Sequence, residues 1–190
     1  AVFIRPYGFD NDFRKEYPGS RSVETVYTDT EPFLVAVSRM LSLISASIVN
    51  KELLQESISQ GQDLTIGNFG HLHLVLHATL AGENNLFIDQ YLVAAKRNNT
   101  PEFNFAKRYV EEYWQLLDGY IPKGLKPETI RKLEDRMLLT YYPYYLLKER
   151  RQGTTDHRES LAIFSERFED RWLFNFWVAP ILKLPKPLAM

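Results

Sequence analysis

Apolar residues along the chain fall into short runs separated by polar, turn-forming stretches, and their spacing sets the elements to expect. Residues 1–4, Ala-Val-Phe-Ile, read as a short buried strand ended by Arg5-Pro6-Tyr7-Gly8. From Phe9 to Thr30 no apolar period survives. Asp10, Asn11, Asp12, Pro18, Gly19 and Ser20 supply turn chemistry there, so the stretch reads as a surface loop. Pro32 suits a first helical turn, and Phe33, Leu34, Val37, Met40, Leu41 and Ile44 recur at spacings of three and four, predicting a helix of about three turns. Residues 42–49 alternate small or polar with apolar residues, as a strand does, and Asn50-Lys51-Glu52-Leu53-Leu54 begins a further helical turn.

The most unusual run is residues 66–77, Ile-Gly-Asn-Phe-Gly-His-Leu-His-Leu-Val-Leu-His, which holds three of the chain's four histidines. Leu72, Leu74 and Leu76 alternate with histidines, a period of two that also suits a strand. A buried helix is the better reading, because the run continues through Ala78-Thr79-Leu80-Ala81 without β-branched enrichment and stops at Gly82. Thr65 or Asn68 is the expected cap. Beyond the turn at Glu83-Asn84-Asn85, residues 86–88 and 91–95 are two short strands separated by Asp89-Gln90, and Asn98-Asn99-Thr100-Pro101 ends this region.

Helical periods dominate from Phe103 onward. Phe105, Tyr109, Val110, Tyr113, Trp114 and Leu117 make one apolar face, closed by Gly119 and Pro122. Lys126-Pro127-Glu128 opens a long helix carrying Ile130, Leu133, Met137, Leu138 and Tyr141, which Pro143 is expected to kink or break. Residues 153–156 form a hinge before a helix from about His157 to Arg171. The pattern therefore divides the chain into residues 1–100, a helical region at 101–171 and an apolar, aromatic tail at 172–190.

Composition narrows the function classes. With 190 residues, 45% hydrophobic and 25% charged, the chain is long enough to bury a sizeable core and has the make-up of a folded protein. A formal net charge of −1 argues against a nucleic-acid partner bound by bulk electrostatics. No cysteine is present, which excludes disulfides, thiolate metal sites and cysteine nucleophiles and fits a cytoplasmic location. No apolar run is long enough to span a bilayer, and the N-terminus lacks signal-peptide order. Ala1 runs straight into strand-like sequence, as a piece of a longer protein would.

Trp172, Phe176 and Trp177 stand out in the tail, with Arg171, Lys183 and Lys186 close by. So many large apolar side chains need a partner surface. One reading is a peripheral membrane contact at the inner face, with the rings at headgroup depth. The other is a tail folded back onto the helices.

Residues 43–54, the Gly-containing segment Ile66-Gly67-Asn68-Phe69-Gly70-His71 and residues 86–99, taken in this order after an opening strand, resemble the acceptor-side half of family 2 glycosyltransferases. The abequosyltransferase-like branch is the nearest in pattern, over roughly residues 1 to 150. The resemblance implies an α+β, predominantly helical chain: the acceptor-side half of a GT-A-like α/β domain followed by a C-terminal helical region. It implies a sugar moved from a nucleotide-sugar donor to a saccharide or lipid-linked acceptor in surface polysaccharide synthesis. The nucleotide-binding half that carries the acidic metal motif is missing from this sequence, so no cofactor is expected here. A divalent cation, Mg or Mn, belongs to the missing half. Asp10-Asn11-Asp12 has the letters of that motif but lies in a loop after the first strand.

Within the resemblance His71 falls where an acceptor-activating base is expected, and a neutral imidazole at a helix N-terminus suits that role. Asp63, Asn68, Arg97 and Asn98 are the expected substrate-binding residues, and Glu83 and Asp89 are further flanking carboxylates. His73 and His77, four apart on a helix, have the spacing of paired metal ligands, but no Glu follows His73 and no third ligand is evident. They read as core histidines, so no metal site is expected. The competing function class is a non-enzymatic helical interaction module that docks through its aromatic tail.

Overall fold

A computed structural model describes residues 1–19, 22–55, 69–97, 104–152 and 156–184. The chain is α+β with helix predominating and forms two compact units, Ala1–Glu102 and Phe103–Met190. Among the described residues no helix is long and apolar enough to cross a membrane.

The first unit is built on a four-stranded mixed sheet in the order β2-β4-β1-β3. Strands β1 (Val2–Phe9) and β4 (Asn85–Lys96) run parallel at its centre. The edge strands β2 (Glu24–Tyr27) and β3 (Ser47–Ile48) pair antiparallel with β4 and β1. Strand β1 thus continues past the expected stop at Arg5. Its partner β3 reaches only Val2 and Phe3, so Pro6 sits where that side of the strand needs no amide donor.

Residues 86–95, expected as two strands, form one. Two steps along β1, from Ile4 to Pro6, match five along β4, from Ile88 to Val93, so the extra residues bulge opposite Arg5. Strand β2 lies inside the stretch read as loop, and its backbone carries on beyond the ladder where the Asp89 N–H donates to the Val23 carbonyl at 2.7 Å.

Helix α1 (Thr30–Val37) is two turns long, shorter than its apolar spacing suggests, and gives way to a 3-10 turn at Ser38–Met40. It buries Phe33, Leu34 and Val37 and packs on β2 and β4, with Phe33 edge-on to Tyr27 at 5.8 Å. Residues 42–49, expected as a strand, are a 3-10 turn at Ile44–Ala46 and the two-residue β3. The turn at Lys51–Leu54 starts as expected, with Asn50 Oδ1 accepting the Glu52 N–H at 3.0 Å.

Helix α2 (Gly70–Ala81) forms over the histidine-rich run and ends before Gly82 as expected. Leu72, Val75, Leu76 and Thr79 make its buried face. Its N-cap is Phe69, which has no side-chain capping bond; the expected caps Thr65 and Asn68 lie outside the described residues. Asn85 Nδ2 donates to the Thr79 carbonyl at 3.2 Å, tying the end of α2 to the start of β4.

The second unit is helical. Residues 107–112 form a π-helical turn leading into α3 (Tyr113–Asp118), and α4 (Pro127–Arg136) is continued by α5 (Tyr142–Gln152) through a π-helical turn at Met137–Tyr141. Pro143 therefore does not break the helix. In the widened turn the Tyr142 N–H donates to the Met137 carbonyl, five residues back. That spacing moves the preceding carbonyls off the pyrrolidine ring, which would meet the one at Leu139 in a regular α-helix. The same arrangement recurs at Pro180: a π-helical turn at Phe174–Val178 precedes α7 (Ala179–Lys183), and the Ala179 N–H donates to the Phe174 carbonyl.

Helix α6 (His157–Phe168) is capped by Asp156, whose Oδ1 accepts from the Arg158 and Glu159 amides at 2.8 and 3.3 Å. These two N–H groups, Arg158 first, pull the Asp156 carboxyl below its usual range. The core joins these helices through aromatic rings. Trp114 Nε1 donates to Tyr142 Oη at 2.8 Å, and Tyr142 Oη donates to the Tyr109 carbonyl at 2.8 Å. Phe164 stands edge-on to Tyr142 at 5.0 Å and stacks on Phe174 at 6.2 Å.

The aromatic tail divides by face. Leu173, Phe174, Val178, Ala179 and Leu182 are buried in the second unit, while Trp172, Phe176 and Trp177 remain 68%, 78% and 55% exposed. The buried Arg150 secures the end of α7 by donating to the carbonyls of Ile181, Leu182 and Leu184.

Candidate substrate site

Parallel strands present open backbone ends and loops at their carboxyl edge, where sheets of this kind place ligands. In the first unit a cavity of about 410 Å³ opens at that end of the β1–β4 pair. Its walls come from the second half of β1 (Arg5, Tyr7, Gly8), the following loop (Glu16, Pro18), the turn after α1 (Arg39, Met40), the β4 bulge (Tyr91) and Arg97 just beyond β4.

Each charged wall residue is set by a nearby partner. The bulge turns Asp89 toward Arg5, and the two form an ion pair. Asp89 is only 7% exposed, so a guanidinium partner offsets the cost of burying its charge. Arg5 also lies over the Phe87 ring, 5.5 Å from its centroid. Across the cavity Arg97 Nη1 meets Asp10 Oδ2 at 2.7 Å and Glu16 Oε2 at 3.7 Å, and the Arg97 N–H extends the β1–β4 ladder to the Phe9 carbonyl at 2.8 Å.

Glu16 organises the loop. Its carboxylate accepts the backbone N–H groups of Asp10, Asn11 and Asp12 at 2.8, 2.8 and 3.0 Å. These bonds, Asn11 first and with Arg97 adding to them, hold its carboxyl below the usual range. Tyr7, Tyr17 and Tyr91 form a triangle of edge-on rings with centroids 5.6 to 6.5 Å apart, and Tyr7 Oη donates to the Phe13 carbonyl at 2.8 Å, clasping the loop to the sheet.

Arg97 is the one expected substrate-binding residue that the structure brings to this cavity. Asp63, Asn68 and Asn98 lie outside the described residues. His71 is half-buried in the first turn of α2 and is not among the residues lining the cavity. His73 and His77 are half-buried on the same helix, and among the described residues no group of three His, Cys, Asp or Glu side chains is placed to hold a metal ion.

The Asp10-Asn11-Asp12 letters do not fit a divalent cation here. Asp10 is committed to Arg97, and Asp12 Oδ1 accepts the Arg14 N–H at 3.0 Å. Glu83 lies exposed in the turn after α2, whereas Asp89 is no surface turn residue but a buried strand carboxylate. Arg5, Tyr7, Glu16, Arg39 and Tyr91 were not legible as site residues. Arg5 and Tyr91 are 86 positions apart, and only the parallel pairing with its bulge brings them to one cavity. Comparison with protein-family models, with curated proteins and with solved structures finds no match.

Proposed function

We propose that this chain is the acceptor-side part of a glycosyltransferase that moves a sugar from a nucleotide-sugar donor to a saccharide or lipid-linked acceptor. It would work in the cytoplasm, at the inner face of the membrane, in surface polysaccharide synthesis. The observation that carries the reading is the position of Arg97, a residue of the glycosyltransferase-like sequence pattern, in a cavity at the carboxyl end of a parallel strand pair. Tyrosine rings and fixed charged groups around that cavity suit a hydroxyl-rich ligand, since rings cover sugar C–H faces and charged groups accept or donate hydrogen bonds.

In an inverting transfer a base removes the proton of the attacking acceptor hydroxyl as that oxygen bonds to the anomeric carbon and the nucleotide leaves. His71, which does not line the cavity, is the proposed base on the resemblance alone. As the second residue of α2 it lies at the positive end of the helix, which favours its neutral form. On this proposal, divalent-cation chemistry and the residues that would hold the ion would be supplied by a nucleotide-binding half. Sugar transfer measured on the protein joined to that half, with His71 and Arg97 substituted, tests the proposal.

A second reading draws on the exposed rings of Trp172, Phe176 and Trp177. They support a docking role toward a membrane surface, either as a peripheral contact of the transferase or as the working face of a non-enzymatic helical module.

A further inference from the structure

We infer that the face of the four-stranded sheet turned away from α1 is a docking surface for an amphipathic helix of a partner protein, one with an aliphatic stripe and a basic residue beside it. Strand register aligns two rows of side chains on that face. Val26, Leu86, Val2 and Ile48 are successive cross-strand partners, so they form one row across β2, β4, β1 and β3. Glu24, Ile88 and Ile4 form the next row. The intervening row, Thr25, Phe87, Phe3 and Ser47, points to the opposite face, where Phe33 of α1 meets Tyr27.

Both faces are apolar at the centre of the sheet, but they are not equally covered. Phe3 and Phe87 are 0% and 6% exposed, whereas Val26 and Ile48, at the two ends of the outer row, are 64% and 55% exposed. Val2, Ile4, Leu86 and Ile88 between them stay part-exposed. A sheet finished on one side alternates apolar with polar residues. Here Val2-Phe3-Ile4 runs parallel beside Leu86-Phe87-Ile88, and unbroken apolar runs in parallel strands are the composition of a sheet layered by helices on both faces.

Size and charge select the occupant. The two rows extend about 14 Å across the strands and about 7 Å along them, far below the roughly 800 Å² per partner that a self-standing dimer uses. A second copy stacked sheet on sheet would therefore bury too little to hold by itself. One helix, about 10 Å across with its side chains, covers both rows. Glu24 is the only charged side chain in the two rows and lies exposed at their β2 end. A lysine or arginine beside the aliphatic stripe pairs with it there, at the edge of an apolar contact that strengthens the attraction.

A fluorescently labelled amphipathic peptide of leucine and lysine, about five turns long, tests the surface by anisotropy, with a leucine and glutamate peptide as its counterpart. The full chain is used with Trp172, Phe176 and Trp177 replaced by serine, so that the exposed rings of the second unit do not contribute. The lysine peptide should bind the more tightly, and Glu24→Lys should reverse that preference. Val26→Ser together with Ile48→Ser should weaken binding about ten-fold or more. Both side chains are exposed, so the melting curve should stay unchanged. No binding of the lysine peptide, undiminished affinity in the Val26 and Ile48 double variant, or a preference that Glu24→Lys leaves as it was overturns the inference. Sedimentation velocity decides against the other occupant: a wild-type dimer that the double variant dissolves would assign the face to a second copy and overturn the helix assignment.

Discussion

Arg97 lies across Gly8 so closely that a Cβ at Gly8 would stand 2.7 Å from Arg97 Nε and 3.1 Å from its Cγ. A side chain there would force the Arg97 stem to shift. The absence of a side chain on β1 lets the arginine stem cross the strand and deliver its guanidinium to Asp10 and the cavity. Gly8→Ala should displace Arg97 at a cost of about 1 kcal/mol in stability, the lower end of overpacking effects. Thermal melting of Gly8→Ala checks this; a wild-type melting curve would show that Arg97 does not need this path.

The loop after β1 should respond to acid. Glu16 has its folded-state carboxyl below the unfolded value, so its contribution is fully present above the unfolded range and is lost as pH falls through the lower folded value. Amide exchange of Asp10, Asn11 and Asp12 should accelerate as pH drops into the acid range, beyond the intrinsic trend. Glu16→Gln should show fast exchange at all pH values, because an amide oxygen accepts more weakly than a carboxylate.

Arg150 carries the end of the chain's last described helix. Its guanidinium reaches three backbone carbonyls of residues 181–184 while the side chain is buried. Arg150→Met keeps the apolar stem but removes these charge-assisted bonds, and should cost the second unit about 2–3 kcal/mol. Denaturant unfolding followed by tryptophan fluorescence measures the loss. Limited proteolysis should then cut near residues 181–184, which the wild-type chain protects.

The exposed rings of Trp172, Phe176 and Trp177 should not stabilise the fold, since their surface faces solvent. Replacing all three with serine should leave the melting temperature unchanged within about 1 °C, the scale of a neutral surface change. Co-sedimentation with anionic vesicles should fall sharply in the triple variant. Equal sedimentation of the two proteins would remove the membrane-contact reading.

Much of the second unit was legible because its helices declare themselves by apolar spacing, as with Phe105, Tyr109, Val110, Tyr113, Trp114 and Leu117. What sequence logic missed there was the answer to its own objection. Pro143 does disfavour a regular α-helix, and a π-helical turn ending two residues before it absorbs the conflict, as another does before Pro180.

The first unit was harder for a different reason. Asp89 interrupts an apolar run, which locally signals a turn, but Arg5 on the adjacent strand compensates its burial and the strand continues. Strand β2 has four residues of alternating exposure at a sheet edge, too short and too polar to stand out from the flanking turn residues. Helix α2 was readable because its apolar run ends at Gly82. The cavity was not, because the groups that build it are far apart in sequence, and of the expected site residues that the structure describes only Arg97 takes part.

Sugar transfer is the most direct measurement. The chain, supplied with a nucleotide-binding half of the kind the proposal requires, is offered radiolabelled nucleotide sugars with a lipid-linked saccharide acceptor, as wild type, His71→Ala and Arg97→Lys, each checked for a native melting curve. Transfer by wild type, its loss in His71→Ala and a fall of about ten-fold or more in Arg97→Lys are predicted, in line with removal of a base and of a fork-shaped donor. Undiminished transfer by both variants, or none by wild type with any donor, would contradict the assignment of this chain to the acceptor side of a glycosyltransferase.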